Sequence, residues 1–295
     1  MLRRWAHLRR IEGLDPAVDY DEIFGLVTQF EFPWEYVQGT SIAFLRDYGV
    51  PSISALLDRT GEFEKHGQKR YDDTILIGFE ATTDTLESER GRAAMRHLNR
   101  IHGRYQIPND EFLYVLATTV VGPKRFIDDF GWRPLHPHEV EAMCRITTRF
   151  GELMGIQDLP TTYDGYERFL DDYEQQRFEY APQNRQVAEA SIRIVTDWFP
   201  RPLRPLVRRV SIAMLDEPLR EALGLPAQPR WLSVVLRRAL VLRGRLLRWF
   251  PPRPASRPYM HDARRTYPFG YTLSDLGPAW VRQATDSGQE RAPAE

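Results

Sequence analysis

At 295 residues, with 42% apolar and 27% charged residues, the chain is long enough for a sizeable core and too polar for an integral membrane bundle. Its one cysteine, Cys144, excludes an intramolecular disulfide framework and any centre built on several cysteines. The net charge of −1 hides an asymmetry, because residues 201–266 carry fifteen arginines against only Asp216, Glu217, Glu221 and Asp262. Such a segment favours an anionic partner such as a membrane surface.

A lone thiol fits a reducing compartment, and the opening MLRRWAHLRRIEG lacks the apolar stretch of a secretory signal. A cytoplasmic protein is therefore expected. No nucleic-acid partner is expected, since the basic segment has no zinc-finger, RNA-recognition or basic-zipper pattern and its charges alternate with Trp, Leu and Val.

Periodicity is helical throughout, with no alternating run long enough for an extended sheet, so the fold class is all-α. Asp19 and Glu22 read as a capping box opening a helix, and Pro33 and Gly49-Val50-Pro51-Ser52 punctuate the next helices. Residues 61–68 read as a polar turn. Further helices are predicted over about 69–82, 87–104, 109–129, 137–154, 162–180, 184–198, 203–214 and 228–249, with prolines at most joints. Residues 1–280 are expected to be one helical domain and 281–295, ending SGQERAPAE, a disordered tail.

The stretch 231–250 contains Arg237, Arg238, Arg243, Arg245 and Arg248, too many charges for an ordinary spanning helix of ~20 apolar residues. At about 100° per residue, Leu232, Val235, Leu236, Ala239, Leu242, Leu246 and Phe250 share one face, with Arg237, Arg245 and Arg248 opposite. The simpler expectation packs that apolar face on the core. The alternative lays residues 228–250 on anionic lipid as a peripheral membrane contact.

Missing motifs narrow the chemistry. The chain has no Gly-x-Gly-x-x-Gly, Walker loop, His-Glu-x-x-His, Glu-x-x-His or Gly-x-Ser-x-Gly. Among seven histidines, His102 is placed informatively, about 40° from Leu98 on the stripe of Ala94, Met95, Leu98, Ile101 and Tyr105. His97 falls on the flank, where a solvated ring or a surface hydrogen bond is expected. Two readings of His102 stay open: a buried histidine satisfied by a protein partner, or an axial ligand to haem iron, which one inward imidazole can hold without further protein ligands.

Arg70 and Thr74 are four residues apart and can reach one site. An arginine suits a carboxylate such as a porphyrin propionate, and a threonine hydroxyl can bond a ligand or water. The plainer alternative pairs Arg70 with Asp73 or Asp84 and has Thr74 cap a turn. His136 and His138 flank Pro137; their rings are expected to diverge and to serve a helix start rather than a metal. Cys144 reads as a core thiol.

Read together, KRYDDT, RHLNRIHGRY, NDEFLYVLATTVVGPKRFIDDFGWRPLHPHE, FGELMGIQDLPTTYDGYERFL and YPFGYTLSDLGP, in that order, resemble the oxygenase family of the fungal mycophenolic-acid pathway enzyme (MpaB-type) and the bacterial latex-clearing rubber oxygenases. The likeness covers nearly the whole chain. It is closest to the mycophenolic branch, through Arg70-Tyr71-x-Asp73-Thr74, Asn99 with His102, Leu113-Tyr114 and Trp132-Arg133. The resemblance implies a globin-like core, haem b (iron) bound non-covalently, and dioxygen used to cleave double bonds in a hydrophobic, isoprenoid-like or lipid-like substrate.

By the same resemblance, His102 falls on the proximal haem histidine and Arg70 and Thr74 on an Arg-x-x-x-Thr pair beside the haem. Asp73 stands where the rubber-oxygenase branch has a lysine able to reach the iron, which implies a sixth position open to water or oxygen. Leu116 stands where many relatives have a second histidine. Phe30, Phe32, Trp34, Tyr36 and Phe44 are candidates for lining a substrate cavity, with plain core as the simpler reading. The alternatives to an oxygenase are a non-enzymatic membrane-peripheral helical protein and a haem sensor or electron-transfer protein of the same fold.

Overall fold

Proline opens and glycine closes much of the architecture. In the computed structural model, which describes residues 4–281, helices α3 (Pro33–Asp47), α4 (Pro51–Thr60), α8 (Pro137–Met154) and α10 (Pro182–Thr196) all begin on a proline. There the missing N–H deprives the helix of no hydrogen bond. Gly61 and Gly155, at φ 63° and 76°, close α4 and α8 in the left-handed conformation that other side chains avoid. The remaining helices are α1 (Ala6–Glu12), α2 (Tyr20–Leu26), α5 (Glu62–Thr82), α6 (Glu89–His102), α7 (Asn109–Phe130), α9 (Tyr163–Arg177), α11 (Arg204–Ala213), α12 (Glu217–Ala222) and α13 (Arg230–Leu247). No strand occurs among the described residues, so the class is all-α as expected. Apart from Val281, the tail expected over 281–295 lies outside the described residues.

Two local readings are corrected. Asp19 precedes α2, but its carboxylate accepts the Asp15 backbone N–H at 2.9 Å, and Glu22 is taken by Arg10 Nε at 2.6 Å, so no capping box forms. Residues 62–68 are helical, not a turn: α5 starts at Glu62 and breaks only at His66 (φ −135°, ψ 32°). Their polar composition hides one inward face, where Phe63 meets Tyr48 edge-on at 5.5 Å.

The centre is the pair α3 and α7. A Cβ at Gly39 would come within 2.6 Å of the Pro123 Cα, and one at Gly122 within 2.8 Å of the Ala43 Cβ, so the two backbones touch where side chains would hold them apart. Leu113, Leu116, Ala117, Val120 and Val121 of α7 then fill the largest core cluster with residues of α2, α6, α8 and α9. Cys144 joins it, with its thiol pKa pushed by burial up to about 12, as expected of a core cysteine.

Two buried charge networks brace this core. Arg133 binds Glu139 through both terminal nitrogens (2.6 and 2.7 Å) and reaches Glu31 at 3.4 Å, where His7 also bonds at 3.0 Å. The second joins Arg46 to Glu174 and Asp216; Tyr114 donates to Glu174 at 3.1 Å, and Thr118 donates to Asp47 at 3.3 Å.

Burial raises the Asp47 pKa well above the carboxylate range, with the Thr118 bond opposing it. Folding therefore favours protonated Asp47, and its contribution to stability falls as pH rises from the unfolded value of about 3.9 toward the higher folded one. Asp47→Asn should raise the urea midpoint at neutral pH, with the gain vanishing below pH ~3, where both forms of the wild-type chain carry the proton.

Helix α13 reverses the core expectation. Val235, Leu242, Leu246 and Phe250 are all more than half exposed, while Arg237 donates to Asp129 (2.7 Å), Arg243 to Glu35 (2.6 Å) and Arg248 to the Trp132 carbonyl (2.8 Å). The helix lies on the body through these arginines, through Leu232, which is buried as its stripe predicted, through Leu247 against the cluster around Trp132, and through Gly244, whose absent Cβ would come within 2.5 Å of the Phe130 carbonyl oxygen. Periodicity reports a stripe without saying which way it faces. No helix among the described residues is long and apolar enough to cross a membrane.

After α13 the chain runs through short turns back across α5 and α6. Asp73 is buried, paired with Lys69 at 2.6 Å, and accepts from Tyr267 Oη (2.7 Å) and the Gly277 backbone N–H (2.9 Å). Asp72 accepts from the Thr266 backbone (2.9 Å) and hydroxyl (2.6 Å). His97, expected at the surface, is buried and donates from Nε2 to the Leu276 carbonyl at 3.0 Å, because this segment covers the flank of α6.

Candidate active site

α5 and α6 pack against each other, and the residues singled out from the sequence meet at their contact. His102 is the last residue of α6, Arg70 and Thr74 lie one turn apart on α5, and Phe112 comes from the start of α7. Thr74 donates its hydroxyl to the Arg70 carbonyl at 2.8 Å and accepts from Arg70 Nη1, so it holds the guanidinium of its own helix in place. Arg70 lies over the Phe63 ring at 5.6 Å and forms no ion pair with Asp73 or Asp84. Asp73 is committed to Lys69 and the C-terminal segment, which removes that partner.

His102 meets the Phe112 ring edge-on at 5.4 Å, and its Nδ1 is buried with no hydrogen-bond partner among the described residues. Burial and then the positive charge of Arg70 bring its pKa down to about 4, so the imidazole is neutral at physiological pH. The reading of a satisfied structural histidine thus lacks the partner it requires. A neutral imidazole can donate a lone pair to a metal, and an arginine without a carboxylate partner can bind an anionic group.

Sequence reasoning missed Gly78. It follows Thr74 by one turn, and a Cβ built on it would meet nothing within 4 Å, so the helix surface beyond Arg70 and Thr74 opens onto free space. A glycine inside a strongly helical stretch is the signal that could have found it. The residues present therefore fit haem: a neutral imidazole without a bonded partner among the described residues for iron, a guanidinium held by Thr74 but with no carboxylate partner there for a propionate, and a bare helix face beside them.

Other motif residues serve the scaffold. Asn99 donates to the Leu153 carbonyl at 2.8 Å, tying α6 to α8, while Tyr114 and Arg133 belong to the buried networks and Trp132 packs on Phe32. Leu116 packs against Gly151 and Leu159 on the α8 side. Of the early aromatics, Tyr36 packs on Phe24, Trp34 on Phe126 and Phe30 on His7. His136 accepts from the His138 N–H and completes a capping box with Glu139, as a helix start should. Its ring does not diverge from that of His138: the two meet edge-on at 4.8 Å, with His138 Nδ1 donating to the Ile11 carbonyl at 3.1 Å.

Residues 39–249, which include Arg70, Thr74, Gly78 and His102, match the family described as ER-bound oxygenase mpaB/B'/Rubber oxygenase, catalytic domain. The chain belongs to this oxygenase family. It is 32% identical over 250 residues to the ER-bound oxygenase mpaB' of Penicillium brevicompactum, covering 78% of this chain and 59% of that protein. To the ER-bound oxygenase mpaB of Penicillium roqueforti (strain FM164) it is 30% identical over 213 residues, 66% of this chain and 72% of the relative. Against mpaB of Penicillium brevicompactum the identity is 30% over 249 residues, 57% of that protein. The chain thus spans less than two thirds of the mpaB' protein and of the second mpaB.

Proposed function

We propose that this MpaB/rubber-oxygenase family member is a haem-b-dependent oxygenase that uses dioxygen to oxidise or cleave a hydrophobic, isoprenoid-like substrate, with residues 1–280 as one oxygenase domain on a globin-like helical core. The observation that carries this reading is the His102 Nδ1, buried without a hydrogen-bond partner, in a ring that feels the charge of Arg70, an arginine with no carboxylate partner among the described residues. The chemistry haem supplies when bound is electron donation from ferrous iron to dioxygen.

Each residue has a part that follows from its surroundings. His102, kept neutral by burial, offers the axial nitrogen without first losing a proton. Arg70 binds a propionate, and Thr74 fixes the direction of its guanidinium through two hydrogen bonds. Phe63 and Phe112 supply apolar walls that keep water from the site. Asp73, held in the Lys69 pair, is not a distal ligand. The fungal relatives are described as ER-bound; a cytoplasmic placement at a membrane surface is the corresponding reading for this chain.

The test is an absorption spectrum of protein purified from haem-supplemented cells. Wild type should show a Soret band near ~410 nm, as imidazole-ligated haem does. Gly78→Leu should lose most of it with helicity and melting unchanged, because the new side chain meets no protein atom nearby. Oxygen consumption on adding an isoprenoid alkene separates an oxygenase from a haem sensor. A folded wild type without a Soret band would overturn the assignment.

A further inference from the structure

The outward face of α13 is the largest surface feature that the active site leaves unexplained. Trp231 and Trp249 are 66% and 71% exposed, and between them Val235, Leu242 and Leu246 are each more than half exposed, with Phe250 just beyond. Half of the large exposed apolar side chains among the described residues lie on this one helix and its exit. The stripe is about 27 Å long at 1.5 Å per residue. Patches of this extent on a soluble domain mark an interaction surface.

The charges identify the partner. Residues 230–250 contain six arginines and no acid. Arg237, Arg243 and Arg248 are consumed in holding the helix to Asp129, Glu35 and the Trp132 carbonyl. Arg238 and Arg245 have no carboxylate partner among the described residues, and although Arg245 lies opposite the wider stripe that runs through Leu232 and Leu236, on the helical wheel both flank its exposed part, Trp231, Val235, Leu242, Leu246 and Trp249. A second copy of the chain would bring the same unpaired cations and no anion to meet them. A surface with an apolar interior and an anionic skin satisfies both parts of the face, and tryptophans at the two ends suit the boundary between them.

We propose that α13 docks the protein in the plane of an anionic phospholipid bilayer, with Trp231, Val235, Leu242, Leu246, Trp249 and Phe250 inserted among the acyl chains and Arg238 and Arg245 on the headgroup phosphates. The proposal rests on this helix alone and is independent of haem, so it stands or falls separately from the oxygenase assignment.

Co-sedimentation of the full chain with vesicles tests it, using phosphatidylcholine alone and phosphatidylcholine with 30 mol% phosphatidylglycerol. Wild type should pellet with the anionic vesicles at low salt, and pelleting should weaken as ionic strength approaches about 0.5 M. Leu242→Glu with Leu246→Glu should weaken partitioning at least tenfold. Arg238→Glu with Arg245→Glu should do so at low salt only. All four side chains are outside the core, and retained melting temperatures confirm that the variants fold. Failure to pellet with anionic vesicles overturns the proposal, as does equal pelleting with neutral ones. A wild-type dimer in light scattering that Leu242→Glu with Leu246→Glu dissociates would overturn it in favour of a second copy as the occupant.

Discussion

His102→Ala should purify folded and colourless from cells in which the wild type carries haem, with Soret absorbance near ~410 nm reduced at least tenfold. The expectation joins two facts about one side chain. Its Nδ1 is buried and makes no hydrogen bond, so truncation deletes no polar contact; the lost packing on Phe112 should be offset by removing an unsatisfied group, leaving stability within about 1 kcal/mol of wild type. Added imidazole should restore part of the band by entering the space the ring leaves. A variant that keeps the full band would place the iron elsewhere. A variant that unfolds would return His102 to a structural role, and His102→Phe, which preserves ring volume, distinguishes lost packing from a lost partner.

Arg133→Met is expected to cost the fold ~3–5 kcal/mol, because removing one partner of a buried pair strands the other. Here it strands Glu139, whose side chain is fully buried and bonded by both terminal nitrogens of Arg133, and leaves the equally buried Glu31 only its His7 partner. Methionine preserves most of the volume, so the loss reports charge rather than a cavity. Adding Glu139→Gln should recover part of it. Urea midpoints measure both effects. The folded fraction should bind haem as the wild type does, because Arg133 belongs to the network around Glu31, Glu139 and Trp132 and touches none of Arg70, Thr74, Gly78 or His102.

That contrast marks what the sequence makes legible. Helical periodicity and proline placement locate the long helices well, and the inward angle of His102 is visible because its neighbours Leu98 and Ile101 define a stripe. Direction relative to the rest of the chain is not visible. The apolar stripe of α13 looks like a core face until the body binds the opposite side through arginines, and His97 looks exposed until residues from far along the chain cover it. The first turns of α5 escape notice because Glu62, Glu64, Lys65 and Gln68 outnumber the one large apolar residue, Phe63, that packs. Family motifs blur role as well: Tyr114, Asn99 and Arg133 brace helices, and only geometry separates them from the three residues that meet at the site.

The latch that closes over α5 and α6 has a practical bearing on where this protein ends. The family match ends at residue 249, yet Thr266, Tyr267, Leu276 and Gly277 supply bonding partners for Asp72, Asp73 and His97. A chain trimmed at the end of that match would retain every proposed haem contact and uncover two carboxylates and an imidazole on the helices that carry them. The stretch beyond the match is part of what holds the site's helices together.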